Sequence, residues 1–209
     1  GNNILIKKRV PTTGTGLSQQ PSMPSADHEL TLSQSQKFEA TDVMSFRFSK
    51  QNEKNQQQEG NQRGSLDYTA GQYAFFDIGG GDNDPKGPVR HFTISSSPTE
   101  DFIMITTRIR GTPYKKRLSS LQEGTRVNVR GPQGKFVLHK DYSKPAIFLS
   151  GGIGVTPFRS MIKYVTDNQL PMRIVMFDSN RNVDNILFKK EFDEWANVNK
   201  NLKIIYSIT

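Results

Sequence analysis

Three glycines set between an apolar run and an amphipathic one constrain this chain most: Leu149-Ser150-Gly151-Gly152-Ile153-Gly154-Val155-Thr156-Pro157. Ala146 to Leu149 read as a buried strand, and Phe158, Met161, Ile162 and Val165 recur at helical spacing. Glycines at 151, 152 and 154 allow a tight turn and a close approach of backbone to ligand. Thr156 is expected to cap the helix, and Pro157 suits its first turn, where no amide hydrogen is needed. Strand, glycine turn and helix N-terminus together form an anion site, because free amides and the helix dipole point outward. A dinucleotide pyrophosphate suits that arrangement. The competing reading is a structural strand-to-helix turn, since Pro157 stands where a G-x-G-x-x-G motif has its third glycine.

Around this turn the pattern is strand, helix, strand, helix, strand, with strands at 146–150, 173–178 and 203–208 and helices near 157–168 and 184–197. That regime predicts a parallel α/β sheet from residue 144 onward. Upstream the periodicity differs. Short strands are expected around Val43–Phe48, Tyr68–Ile78, His91–Ser95, Phe102–Ile109, Arg126–Arg130 and Lys135–Leu138, with one helix near Pro113–Leu121. Repeated short strands with turn signals imply an antiparallel barrel or sandwich over residues 37–143. Residues 1–36, rich in Thr, Ser, Gln, Gly and Pro, read as a flexible polar tail with a short strand near its end, and residues 50–65 as a polar loop.

At 209 residues the chain can bury one large core or two small ones. It contains no cysteine, which excludes disulfides, thiolate metal sites and a cysteine nucleophile, and its three histidines are scattered. No metal is expected. No apolar run is long enough to span a bilayer. Ile4-Leu5-Ile6 followed by Lys7-Lys8-Arg9 is not a signal peptide, and a cytoplasmic setting is expected. The first residue is Gly, so a processed or partial product is expected. Of the formal charge of +8, residues 90–140 hold ten bases against three acids, a net +7. Such a concentration favours a phosphate-bearing ligand, an acidic protein or nucleic acid, against the plainer reading of a solvated basic surface.

Four stretches, in order, carry a resemblance. Gly71-Gln72-Tyr73 precedes a strand; Arg90-His91-Phe92-Thr93 resembles the flavin signature R-x-[YF]-[ST]; Gly131-Pro132-Gln133-Gly134-Lys135-Phe136 resembles G-P-x-G-x-F; the glycine turn follows. Together they resemble the ferredoxin–NADP reductase superfamily across residues 38–209. The implied fold is a two-domain β plus α/β architecture: an antiparallel Greek-key β-barrel, then an incomplete parallel Rossmann-like α/β domain at 144–209.

The resemblance implies FAD and NAD(P)H as cofactors. Arg90 offers a planar fork for the flavin pyrophosphate. Phe92 would lie against the isoalloxazine or its ribityl arm, beside His91. Thr93 is the implied catalytic residue, bonding near flavin N5. Arg110-Gly111-Thr112-Pro113-Tyr114-Lys115 departs from the usual G-x-x-S-x-x-L spacing and is closer to a subgroup with [ST]-x-[FY]-K. There Thr112 would cap a helix, and Thr112, Tyr114 and Lys115, with Thr107 and Ile109, would bind the cofactor. Gly151, Gly152, Gly154, Thr156 and Pro157 would hold the nicotinamide nucleotide. Asp178, at a strand end, suits a ribose 2′-hydroxyl and tilts the reading towards NADH, whereas Ser179 and Arg181 suit a 2′-phosphate.

The implied activity is transfer of hydride from nicotinamide to flavin N5, then of single electrons to an acidic carrier such as a ferredoxin. Relatives continue past three parallel strands, so the chain is expected to be truncated in its second domain. Two alternatives stay open. One is a non-catalytic flavin- or nucleotide-binding electron-transfer or regulatory subunit. The other, nucleic-acid binding, ranks below it because the bases coincide with the flavin motifs. Oligomeric state is not legible.

Overall fold

The structure is a computed structural model describing residues 27–50, 66–80 and 84–209. Six antiparallel strands form the first sheet: β1 (Asp27–Lys37), β2 (Val43–Ser49), β3 (Tyr73–Asp77), β4 (Val89–Thr93), β5 (Phe102–Arg108) and β6 (Arg126–Gln133). Their order is β4-β3-β6-β1-β2-β5. The two outer strands meet where Ile94 bridges Ile105 and the Ser95 amide donates to Met104 O at 2.7 Å, which curls the sheet back on itself. Alternation sends Leu30, Leu32, Phe46, Phe48, Phe76, Ile105 and Val129 inward. Each such large side chain contributes about 1.5–3 kcal/mol of burial. Helix α1 (Pro113–Ser119) joins this core through Tyr114 and Leu118.

The second sheet is parallel, in the order β7-β8-β9: β7 (Ala146–Gly151), β8 (Ile174–Asn180) and β9 (Leu202–Ile208). Helices α2 (Thr156–Asp167) and α3 (Lys189–Val198) cover one face, where Phe148, Ile174, Met176 and Leu202 pack with Phe158, Ile162, Val165 and Phe192. The opposite face carries Ile147 and Leu149, 69% and 73% exposed, together with exposed Phe177. No described helix is long and apolar enough to cross a membrane.

Several sequence expectations shift. The polar segment read as tail to residue 36 gives way to strand at Asp27, and β1 pairs with both β2 and β6. Only Leu30 and Leu32 of its eleven residues are buried apolar side chains, so its pattern is weak. Residues 1–26, the rest of that tail, and 51–65, most of the polar loop, lie outside the described residues. Lys135–Leu138 form no strand, and Phe136 and Val137 are exposed. Thr156 does not cap α2. A 3₁₀ turn, Gly152–Val155, runs straight into the helix, so Thr156 already has helical dihedrals and Val155 precedes it without a side-chain cap. Pro157 does occupy the first turn, as the sequence predicts.

The helix expected from 184 begins only at Lys189. Asn182 caps a separate 3₁₀ turn at Val183–Asn185 by accepting from the Asn185 amide at 2.9 Å, and Phe188 adopts φ 59°. Leu187 and Phe188 thereby turn into the core.

Candidate functional site

Strand pairing divides the Arg90–Thr93 motif between two faces. Arg90 and Phe92 stand opposite Phe76 and Ala74, on the core side, while His91 and Thr93 stand opposite Phe75 and Tyr73. Phe92 is only 9% exposed; it packs against Phe76 and Tyr114, and the Lys115 ammonium lies 4.3 Å above its ring. It is packed into the core. His91 is exposed, with its ring 5.6 and 5.8 Å from those of Tyr73 and Phe75. This outer aromatic face includes Phe75, which the sequence motifs did not single out.

Arg90 is already engaged. Its Nη1 donates to the carbonyls of Lys86, Gly87 and Val89, and its Nη2 to Asp84 Oδ2 at 2.7 Å. The same carboxylate accepts from the Tyr114 amide, which ties Asp84 to the first turn of α1. Asp84 was missed from sequence, although its place six residues before an arginine is a usable signal. Three hydrogen bonds, from the Lys86 and Tyr114 amides and from Arg90, outweigh burial and lower its pKa; the first is the largest influence.

On α1, Thr112 caps the helix, accepting from the Lys115 amide at 3.3 Å. Tyr114 turns its ring into the core of the first sheet. It is buried, its hydroxyl donates to Phe76 O at 3.0 Å, and burial pushes its pKa well above the usual tyrosine range. Lys115 donates to Thr107 Oγ1 and is paired with no described carboxylate. Burial lowers its pKa to about 8, and the nearby Arg90 charge adds to the shift. An ammonium so placed has no counter-ion among the described residues, and a phosphate would supply one. Ile109 packs on the barrel core and donates its amide to Asp42 O.

A second basic site opens at the glycine turn. Gly151, Gly152, Ser179 and Arg181 line a cleft of about 300 Å³ whose other wall is Arg108 and Arg110 from the first sheet. Gly152 has φ +51°, where a side chain would be strained, and a Cβ there would stand 3.0 Å from Arg108 Nη2, so the arginine lies close over the turn. Asp42 bonds Arg108 at 2.6 Å and Arg110 at 3.1 Å. Burial opposes its charge, and those bonds more than reverse this, which keeps its pKa below the usual value. Arg108 was not among the expected ligands, although it lies in the basic segment.

Gly154 lies in open space and does not line the cleft; Thr156 is buried and Pro157 half-buried behind the turn. Asp178 is 1% exposed and does not face the cleft. Its two oxygens accept from Ser150 Oγ and Asn180 Nδ2, each at 2.8 Å. Exposed Arg181 does line the cleft, as does Asn180, whose buried Oδ1 has no hydrogen-bond partner.

The two sites share a strand. Alternation along β5 directs Thr107 to Lys115 and the next residue, Arg108, to the glycine turn. An extended ligand at each would therefore approach from either side of one strand end.

Known proteins share this two-sheet fold. Residues 148–209 match the family described as oxidoreductase NAD-binding domain. A flavohemoprotein of Bacillus subtilis is 27% identical over 130 residues, covering 62% of this chain and 32% of that protein. The glycine betaine monooxygenase reductase subunit of Pseudomonas aeruginosa is 32% identical over 116 residues, covering 54% of this chain and 32% of its own. The chain thus spans about a third of the length of each of these two relatives. A ferredoxin-NADP+ reductase from Plasmodium falciparum, solved with 2′P-AMP, superposes with TM-score 0.71 at 16% identity, over 88% of this chain and 75% of that one. An Amycolatopsis cytochrome P450 reductase gives TM-score 0.70 at 19% identity, over 93% of this chain and 55% of that one. Residues 148–209 thus match the oxidoreductase NAD-binding domain family, and the two-sheet fold of the chain is that of ferredoxin-NADP+ reductases.

Proposed function

We propose that this chain carries the flavin- and nicotinamide-binding halves of an NAD(P)H-dependent oxidoreductase that hands electrons to a one-electron acceptor. The observation that carries the reading is the pair of basic sites served by successive residues of β5, Thr107 and Arg108. Lys115 and Arg90 suit the FAD phosphates, and Lys115 in particular lacks a described counter-ion. Gly151, Gly152, Arg108 and Arg181 suit the phosphates of the nicotinamide nucleotide. The flavin, when bound, supplies hydride acceptance and one-electron release. The chain's part is to fix the two ligands against each other and to keep Thr93, at the end of β4, beside the reacting ring.

Asp178, turned inward, offers no contact to a ribose hydroxyl, whereas Ser179 and Arg181 face the cleft. This favours NADPH over the NADH suggested by sequence. For the acceptor, exposed Arg130, Lys135 and Lys140 fit an acidic carrier such as a ferredoxin. A cytoplasmic setting, where NAD(P)H is regenerated, goes with this role.

Visible absorbance of the purified chain, followed by anaerobic addition of NADPH and then NADH, tests the reading. Flavin bands that bleach support it. A chain that neither carries nor takes up FAD overturns it. The second reading is a flavin-binding subunit without catalysis. Bands that persist with both nucleotides would select that reading.

A further inference from the structure

The largest fully buried side chain among the described residues is charged. Arg159, 1% exposed on α2, places all five of its guanidinium hydrogens. Nη1 donates to Ser95 O and Glu100 Oε2, both at 2.9 Å. Nη2 donates to Glu100 Oε1 at 3.1 Å and Glu191 Oε1 at 2.6 Å, and Nε to Glu191 Oε2 at 2.8 Å. Phe188 and Trp195 lie 5.2 and 5.5 Å from its Cζ.

Its three partners come from two places. Ser95 lies two residues beyond Thr93, Glu100 sits in the connection from β4 to β5, and Glu191 belongs to α3. Arg159 itself stands three residues after Thr156, on the helix that leaves the glycine turn. Its neighbour Ser160 repeats the link, donating to Ser96 O at 2.5 Å. Apolar packing would stabilise such a junction equally well, because a buried ion pair loses much of its Coulomb gain to desolvation. An ion network differs in being directional: five bonds to three residues, two of them in the connection from β4 to β5 and one on α3, permit one geometry.

We propose that Arg159 is a positioning residue, whose bonds to Ser95, Glu100 and Glu191 hold the glycine turn at one orientation to the strand that carries Thr93. Its consequence for the reaction rests on the function proposed above. The geometric claim does not.

The absence of cysteine makes the test direct. Spin labels at Asn128→Cys on β6 and Lys190→Cys on α3 report the distance between the two sheets' units in the native chain and in Arg159→Met, Arg159→Lys and Glu191→Gln. A narrow native distribution that broadens in Arg159→Met and partly narrows again in Arg159→Lys is expected. With FAD bound, the limiting rate of bleaching by NADPH should fall about 100-fold in Arg159→Met. Nucleotide affinity should stay within about threefold, because no ligand contact is removed. Glu191→Gln, a milder change at a half-exposed carboxylate, carries both readouts should the arginine variants fail to fold. An unchanged distance distribution in folded variants overturns the proposal. Broadening with an unchanged limiting rate overturns its part in the reaction. A native protein that is not bleached at all sinks the proposed function instead, and the distance distributions still decide the clamp.

Discussion

Burial lowers the Lys115 pKa from 10.5 to about 8, and the Arg90 charge adds to the effect. The ligand-free fold therefore disfavours the protonated amine. Below pH 8 both folded and unfolded chains hold this proton, and the penalty is present in full. Between about 8 and 10.5 the unfolded chain binds more protons, so this group makes stability rise with pH. A bound phosphate reverses the preference. FAD affinity should thus fall as pH rises through about 8, which a titration followed by flavin fluorescence will show. Lys115→Met should weaken FAD about tenfold or more, since a charge-assisted bond contributes about 1.5–3 kcal/mol. The melting temperature of the ligand-free variant at neutral pH should not fall. Arg181→Ala tests the other site: the KM for NADPH should rise about tenfold while that for NADH stays within about twofold. Equal effects on both would return the preference to neutral. That Asp178 turns away from the cleft was in fact legible. It shares its parity along β8 with Ile174 and Met176, so the alternation that buries those residues buries it too.

Among the elements, the connection before β3 is held by one glycine. Gly71 has φ +100°, and a Cβ there would lie 2.2 Å from Phe136 O and 2.3 Å from Met161 Cε, one in the segment after β6 and the other on α2. Gly71→Ala should cost about 3 kcal/mol through strained dihedrals and overpacking. For a chain of this size that lowers the melting temperature by about 6–12 °C, measurable by calorimetry. Elements with strong periodicity were readable. The parallel strands and α2 came within a residue or two of expectation, and Thr112 caps α1 as its sequence suggests. What escaped depended on partners far along the chain. β1 extends from Asp27 to Lys37 because β2 and β6 flank it, although Ser33, Gln34, Ser35 and Gln36 give it no periodic pattern. The start of α3 was misplaced because Asn182 caps a separate turn and core packing draws Leu187 and Phe188 inward. The site motifs were found as strings, but their division between the faces of β4 follows from pairing with β3.

At the scale of the whole molecule, parallel sheets are ordinarily covered on both sides, and among the described residues this one has helices on a single side. Ile147, Leu149 and Phe177 form its uncovered face, and β7 is an open edge beside them. Water is a poor neighbour for such a surface, and another copy of the chain is a better one. The 209-residue chain should therefore melt at a temperature that climbs with protein concentration, as mass action requires when association accompanies folding. Leu149→Lys should flatten that dependence, and sedimentation should show a shift to lighter species. Its reduction by nucleotide should not change, because Leu149 points away from the helices and lines no part of the cleft. Handling at high concentration, more than chemistry, is where this bare face will make itself felt: turbidity will set in before any loss of the flavin bands.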